Sequence, residues 1–153
     1  MPGTFSQIYI QIVFAVKNRD TLIDHRWEEH LFKYITGIVK KKGQLLIAIN
    51  GVPDHIHFLL RIRPSCCLSG LIREIKKSTT SFIHDQNFSK YKFQWQEGYG
   101  SFSYSQSQVK EVVRYIQNQK QHHNSTSFKD EYKEFLKKFN IEFEEKYLFD
   151  WLE

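Results

Sequence analysis

Cysteine, proline and glycine are all scarce in this chain of 153 residues, at two, three and seven copies. The two cysteines, Cys66 and Cys67, are neighbours. Adjacency argues against an ordinary disulfide between them, and two thiols cannot complete a four-ligand zinc site. They read as reduced packing residues. So little glycine and proline excludes a collagen-like or low-complexity chain. No apolar run approaches the roughly 20 residues of a membrane span. The start, MPGTFSQIYIQIVF, lacks a basic segment followed by a small-residue cleavage site. A soluble, cytoplasmic protein with no membrane partner is expected. What the chain does have is 41% hydrophobic and 25% charged residues. That suits one ordinary domain over residues 1–153, able to bury its own core.

Charge is unevenly placed. Lysine and arginine total 22 against 17 acids, a net charge of +5. Residues 130–153 hold eight acids and four bases, so this tail is −4 and residues 1–129 carry +9. The basic body suits a polyanion and the acidic tail suits partner contacts or shielding, although solubility alone can also account for such charge.

Residues 5–16 are rich in β-branched and aromatic side chains and read as a buried strand. Asp24 stands where it could cap a helix over about 25–42, in which Trp27, Leu31, Ile35, Ile38 and Val39 recur at helical spacing. Strands near 45–50 and 55–63 flank Asn50, Gly51, Pro53 and Asp54, as in a hairpin. A second helix over about 68–84 has an apolar stripe and a basic outer face. A short strand at 101–105 precedes helices over about 106–122 and 127–139. The order predicts an α+β fold, a ferredoxin-like split βαβ sheet with an added third helix and a C-terminal helical segment.

Asp54-His55-Ile56-His57-Phe58 opens the third strand. Strand side chains alternate, so His55 and His57 share a face and can share a divalent metal. Such a pair also occurs simply as two histidines on a sheet surface, and a metal site needs a third ligand. On the third helix Val109, Val112, Val113 and Ile116 form the core stripe. Tyr115 and Gln119 lie together on its flank, one turn apart, with an amide oxygen able to join a hard-metal shell. His122 and His123, at the helix end, read as cationic caps.

DHIHFLL, the basic helix IREIKKSTTSFI, then WQEGYGSFSYS and VVRYIQNQKQHH resemble, in that order, the single-tyrosine HUH-class transposases, a group that includes the REP-associated tyrosine transposases. The likeness spans about residues 5–125, leaving 126–153 as a helical extension. The resemblance implies a metal-dependent enzyme that cleaves and rejoins single-stranded DNA. Tyr115 would be the nucleophile and His55, His57 and Gln119 would bind Mg²⁺ or Mn²⁺. It implies hairpin DNA ends as partners, and a homodimer in which one subunit's tyrosine serves the other's metal site. A domesticated hairpin-nicking relative and a non-catalytic nucleic-acid-binding module are the alternatives.

Arg61, Arg63, Arg73, Lys76 and Lys77 are candidate phosphate contacts. Tyr99, Phe102 and Tyr104, beside Gly98 and Gly100, are candidates either to stack on unpaired bases or to pack the core. Phe128, Tyr132, Phe135, Leu136 and Phe139 recur at helical spacing, so the last helix is expected to pack on the body or on a dimer partner.

Overall fold

Strand β1, Ile8–Ala15, is nearly all apolar because it lies second from one edge of a sheet covered on both faces. The structure, a computed structural model, describes residues 2–152. After β1 come α1 (Glu28–Lys41), β2 (Leu45–Val52), β3 (His55–Ile62), α2 (Leu68–Asp85) and β4 (Gly100–Tyr104). Helices α3 (Val109–Gln117), α4 (Gln119–His122) and α5 (Phe128–Lys138) follow. The sheet order is β2-β3-β1-β4, with every neighbouring pair antiparallel. This is the expected split βαβ arrangement.

Alternation along the strands sorts the two faces. Ile12 and Phe14 lie opposite Phe58 and Ile56, and with α1 and α2 they build the main core. Tyr9, Gln11 and Val13 take the other face, with His57 and Leu59. On that side Val112 and Ile116 of α3 pack against Tyr9, Ala48 and Leu59. Helix α5 covers the neighbouring part of the same face, its Phe135 stacked on Phe102 of β4 at 4.9 Å.

Two sequence expectations change. Helix α1 starts at Glu28 rather than near 25: residues 25–27 form a turn, opened by the Asp24 carboxylate, which accepts from the Arg26 backbone N–H at 2.8 Å and its guanidinium at 2.8 Å. The helix expected over 106–122 is a single 3₁₀ turn at Gln106–Gln108, then α3, then α4 after a break at Asn118. The break is held from outside. Asn50 donates to the Gln117 carbonyl at 3.0 Å, and the Lys120 ammonium reaches Asn50 Oδ1 at 2.8 Å, the Gly51 carbonyl at 3.1 Å and Glu28 at 3.0 Å.

The C-terminal segment packs on the chain's own body. Ser127 caps α5 by accepting from the Asp130 N–H, and Phe128, Tyr132, Phe135 and Leu136 are buried. Phe149 and Trp151 then close over Phe128 and Tyr132. Gln96 ties this tail down, donating to the Asp150 carbonyl at 2.8 Å and accepting from the Asp150 N–H at 2.7 Å.

Candidate functional site

The face of β3 that meets α3 and α5 carries His55 and His57, both wholly buried. Each ring is fixed through Nδ1: His55 lies 2.7 Å from Asp54 Oδ1, and His57 lies 3.0 Å from the Gln11 amide nitrogen. Gln11 is held in turn by Tyr104, whose hydroxyl donates to Gln11 Oε1 at 2.8 Å. Donation from the far nitrogen to a carboxylate, as His55 has with Asp54, is what metal-binding imidazoles use, whereas His57 Nδ1 accepts from the Gln11 amide and would ligate only with that amide turned over. Both Nε2 atoms are aimed at one point.

At that point stands Glu131 of α5, 3% exposed. Its Oε1 lies 3.1 Å from His55 Nε2, 3.0 Å from His57 Nε2 and 2.9 Å from His123 Nε2. Its Oε2 accepts a hydrogen bond from the Tyr115 hydroxyl and another from the Gln119 amide at 3.1 Å. His55, His57, Tyr115 and Gln119 are therefore brought together, with Gln119 fully buried and its Oε1 without a hydrogen-bond partner.

The electrostatics follow from burial and these contacts. Burial disfavours a charged Glu131, but His57, His123 and His55 outweigh it and hold the carboxyl far below its usual range. Burial dominates at His57 and lowers its pKa. At His55 burial is overcome by Asp54 and Glu131, and the pKa rises. Burial, reinforced by the Glu131 charge, pushes the Tyr115 hydroxyl well above its ordinary value. Tyr115 is thus a neutral hydrogen-bond donor at neutral pH. A cleft of about 600 Å³ opens beside it, lined by Gln11, Tyr104, Tyr115 and Glu131, with Glu111 and Glu134 adding negative charge that favours a cation.

The basic candidates lie elsewhere. Arg61 and Arg63 are exposed, at and just beyond the end of β3 opposite His55. Arg73, Lys76 and Lys77 of α2 border a groove with Gln96, Gly98 and Tyr99. Arg73 and Lys77 are exposed, whereas the Lys76 ammonium donates to the Gln96 and Gly98 carbonyls at 2.9 and 2.6 Å and sits 5.1 Å above the Phe14 ring. Burial lowers Lys76 to about 8. Phe102 is a core residue, 2% exposed. Tyr104 supports Gln11, with burial pushing its own hydroxyl up to about 12.

Two groups at the site were not anticipated. His123 stands at the C-cap of α4, as expected for a residue at the helix end, but its ring turns inward to Glu131. Glu131 carried a signal in the sequence: it is an acid on the buried stripe of α5, three residues after Phe128 and four before Phe135.

Residues 4–119 match the family model described as "Transposase IS200 like". The chain belongs to this family. IS200-like transposases are the single-tyrosine HUH group that the motifs resembled. No curated protein matches the sequence. Among solved structures, a protein from Deinococcus radiodurans R1 provisionally named a transposase superposes with a TM-score of 0.61 at 18% identity, over 78% of this chain and 95% of that one. A REP-associated tyrosine transposase bound to a REP hairpin gives 0.57 at 16% identity, over 77% of this chain and 70% of that one. At these identities the likeness is one of fold.

Proposed function

We propose that this IS200-like transposase cleaves and rejoins single-stranded DNA, with Tyr115 as nucleophile and a divalent ion, Mg²⁺ or Mn²⁺, at His55, His57 and Gln119. The observation that carries this reading is convergence: the Tyr115 hydroxyl, the Gln119 amide and both histidine Nε2 atoms meet around one carboxylate. The residues fit an ion. Two imidazoles supply nitrogen donors, His55 with its Nδ1 held by Asp54, and the Gln119 carbonyl oxygen, which has no hydrogen-bond partner, supplies an oxygen donor once its amide turns over. The ion, when bound, polarises a non-bridging phosphate oxygen and makes phosphorus more electrophilic.

Tyr115 needs that help, since burial and Glu131 keep its hydroxyl protonated. Its oxygen attacks phosphorus and the bond to the 3′ oxygen breaks. The products are a 5′-phosphotyrosine and a free 3′-hydroxyl. The tyrosine proton passes to water in the cleft. The 3′ oxygen takes its proton from water. Since the ester retains the bond energy, a 3′-hydroxyl on another strand can attack it and rejoin DNA. Hairpin ends are the substrate class that the REP hairpin on a structural neighbour supports. The chain acts as a single domain whose Tyr115 serves its own histidines. Sharing of sites across a dimer is not needed by this geometry.

Incubation with Mn²⁺ and labelled single-stranded hairpin DNA should give a detergent-resistant adduct that maps to Tyr115. Tyr115→Phe should fold and bind DNA while adduct and cleavage disappear together. Cutting by the Phe variant would make water or another residue the nucleophile. Mixing Tyr115→Phe with His55→Ala/His57→Ala chains should restore nothing, and restored cleavage would show that the tyrosine acts in trans.

A further inference from the structure

Two strong donors at this site remain without a role in the reaction. His123 and Glu131 both lie beyond the family match, which ends at residue 119. Nothing in the packing of α5 calls for a carboxylate, because its other buried positions are Phe128, Tyr132, Phe135 and Leu136. A buried charge is retained only when paired, hydrogen-bonded or bound to a metal.

Protein partners alone satisfy this carboxylate poorly. Three imidazole nitrogens crowd Oε1, at 3.1, 3.0 and 2.9 Å, although one carboxylate oxygen offers about two acceptor sites. A cation among these atoms removes the crowding. Adjacent donors about 2.1 Å from one ion in octahedral geometry lie about 3 Å apart, which is the spacing between Oε1 and each of the three nitrogens. All four ligand atoms of His55, His57, His123 and Glu131 fall within 4.8 Å of one another. Gln119 is an independent sign. Its buried Oε1 has no partner, and turning the amide over would place that oxygen beside Glu131 Oε2, a pairing that only a cation makes favourable.

We propose that His123 and Glu131 are metal ligands, adding a third imidazole and a carboxylate to His55, His57 and Gln119 in a centre built within one chain. This rests on reading His55 and His57 as the metal pair. The donor set also chooses the ion. Three imidazoles suit a first-row transition-metal dication, whereas Mg²⁺ prefers oxygen ligands and retains water.

Mn²⁺ binding to the full chain without DNA tests this separately from catalysis. Calorimetry should show Mn²⁺ bound at least about tenfold more tightly than Mg²⁺. Glu131→Gln and His123→Ala should each weaken Mn²⁺ by more than the roughly 10- to 100-fold that loss of an outer partner costs. Pulsed EPR should count three coupled imidazole nitrogens in the wild type and two in His123→Ala. If Glu131→Gln fails to fold by circular dichroism, the His123→Ala affinity and nitrogen count decide, since His123 sits at the edge of the site. Unchanged or tighter binding in the variants, or a wild-type count of two, would overturn the proposal while leaving Tyr115 chemistry intact. No uptake of Mn²⁺ by the wild type would overturn this centre and the His55–His57 pair together. The Tyr115 adduct would still test the nucleophile.

Discussion

Asp54 shows how one side chain sets the properties of another. Its Oδ1 lies 2.7 Å from His55 Nδ1, fixing the ring with Nε2 towards the centre of the site. Asp54→Asn keeps the shape and removes the charge, and should lower Mn²⁺ affinity by about 10- to 100-fold. The same change acts on the metal-free protein through the proton. Burial opposes a charged His55, but Asp54 and Glu131 raise its folded pKa above the unfolded 6.5. That pairing contributes stability fully below pH 6.5 and loses it as pH rises through the folded pKa. Asp54→Asn should therefore bring the His55 titration to lower pH by NMR and reduce the fall in urea stability over that window. An unchanged His55 titration would show that Glu131 alone sets it.

At the scale of elements, α5 decides whether the site is complete, and its seat depends on a glycine. A Cβ on Gly100 of β4 would lie 2.8 Å from the Tyr132 hydroxyl and 2.9 Å from Phe102. Both neighbours are buried and cannot simply swing away. Gly100→Val should overpack this contact and cost about 1–3 kcal/mol in urea unfolding. Because α5 carries Glu131, the variant should also bind Mn²⁺ more weakly although no ligand has changed. Full Mn²⁺ affinity in a destabilised Gly100→Val would separate the seat of α5 from the centre. The α3–α4 break matters as much. Without Asn50 and Lys120 holding it, a continuous helix would carry His123 away from Glu131.

Across the whole molecule, charge is divided between surfaces. The cleft beside Tyr115 is edged by acids, and the exposed Arg73 and Lys77 border a groove on α2, which packs against the opposite face of the sheet. Among the described residues no helix is long and apolar enough to cross a membrane. If the α2 groove holds the DNA backbone, Arg73→Ala/Lys77→Ala should weaken hairpin binding and flatten the plot of log affinity against log salt by about 0.7 per lost single-strand contact. The adduct on Tyr115 should still form at saturating DNA. An unchanged salt slope would move the phosphate track elsewhere, with Arg61 and Arg63 next to be tested.

Local pattern determined a great deal by itself. Alternation placed His55 and His57 on one face, helical spacing set Tyr115 beside the core stripe of α3, and the element order specified the split βαβ sheet, since each depends on neighbours a few residues apart. The motifs also carried the family, because the match lies within residues 4–119. Only tertiary structure brought Glu131 to the histidines, 76 residues from His55, and turned His123 inward through a helix break held by β2. It likewise sent Phe102 into the core and bent Lys76 onto backbone carbonyls. The periodicity of a segment tells which of its sides is buried. What that side is buried against is set by the packing of segments distant in the chain, and the chemistry of Glu131 depends on that contact.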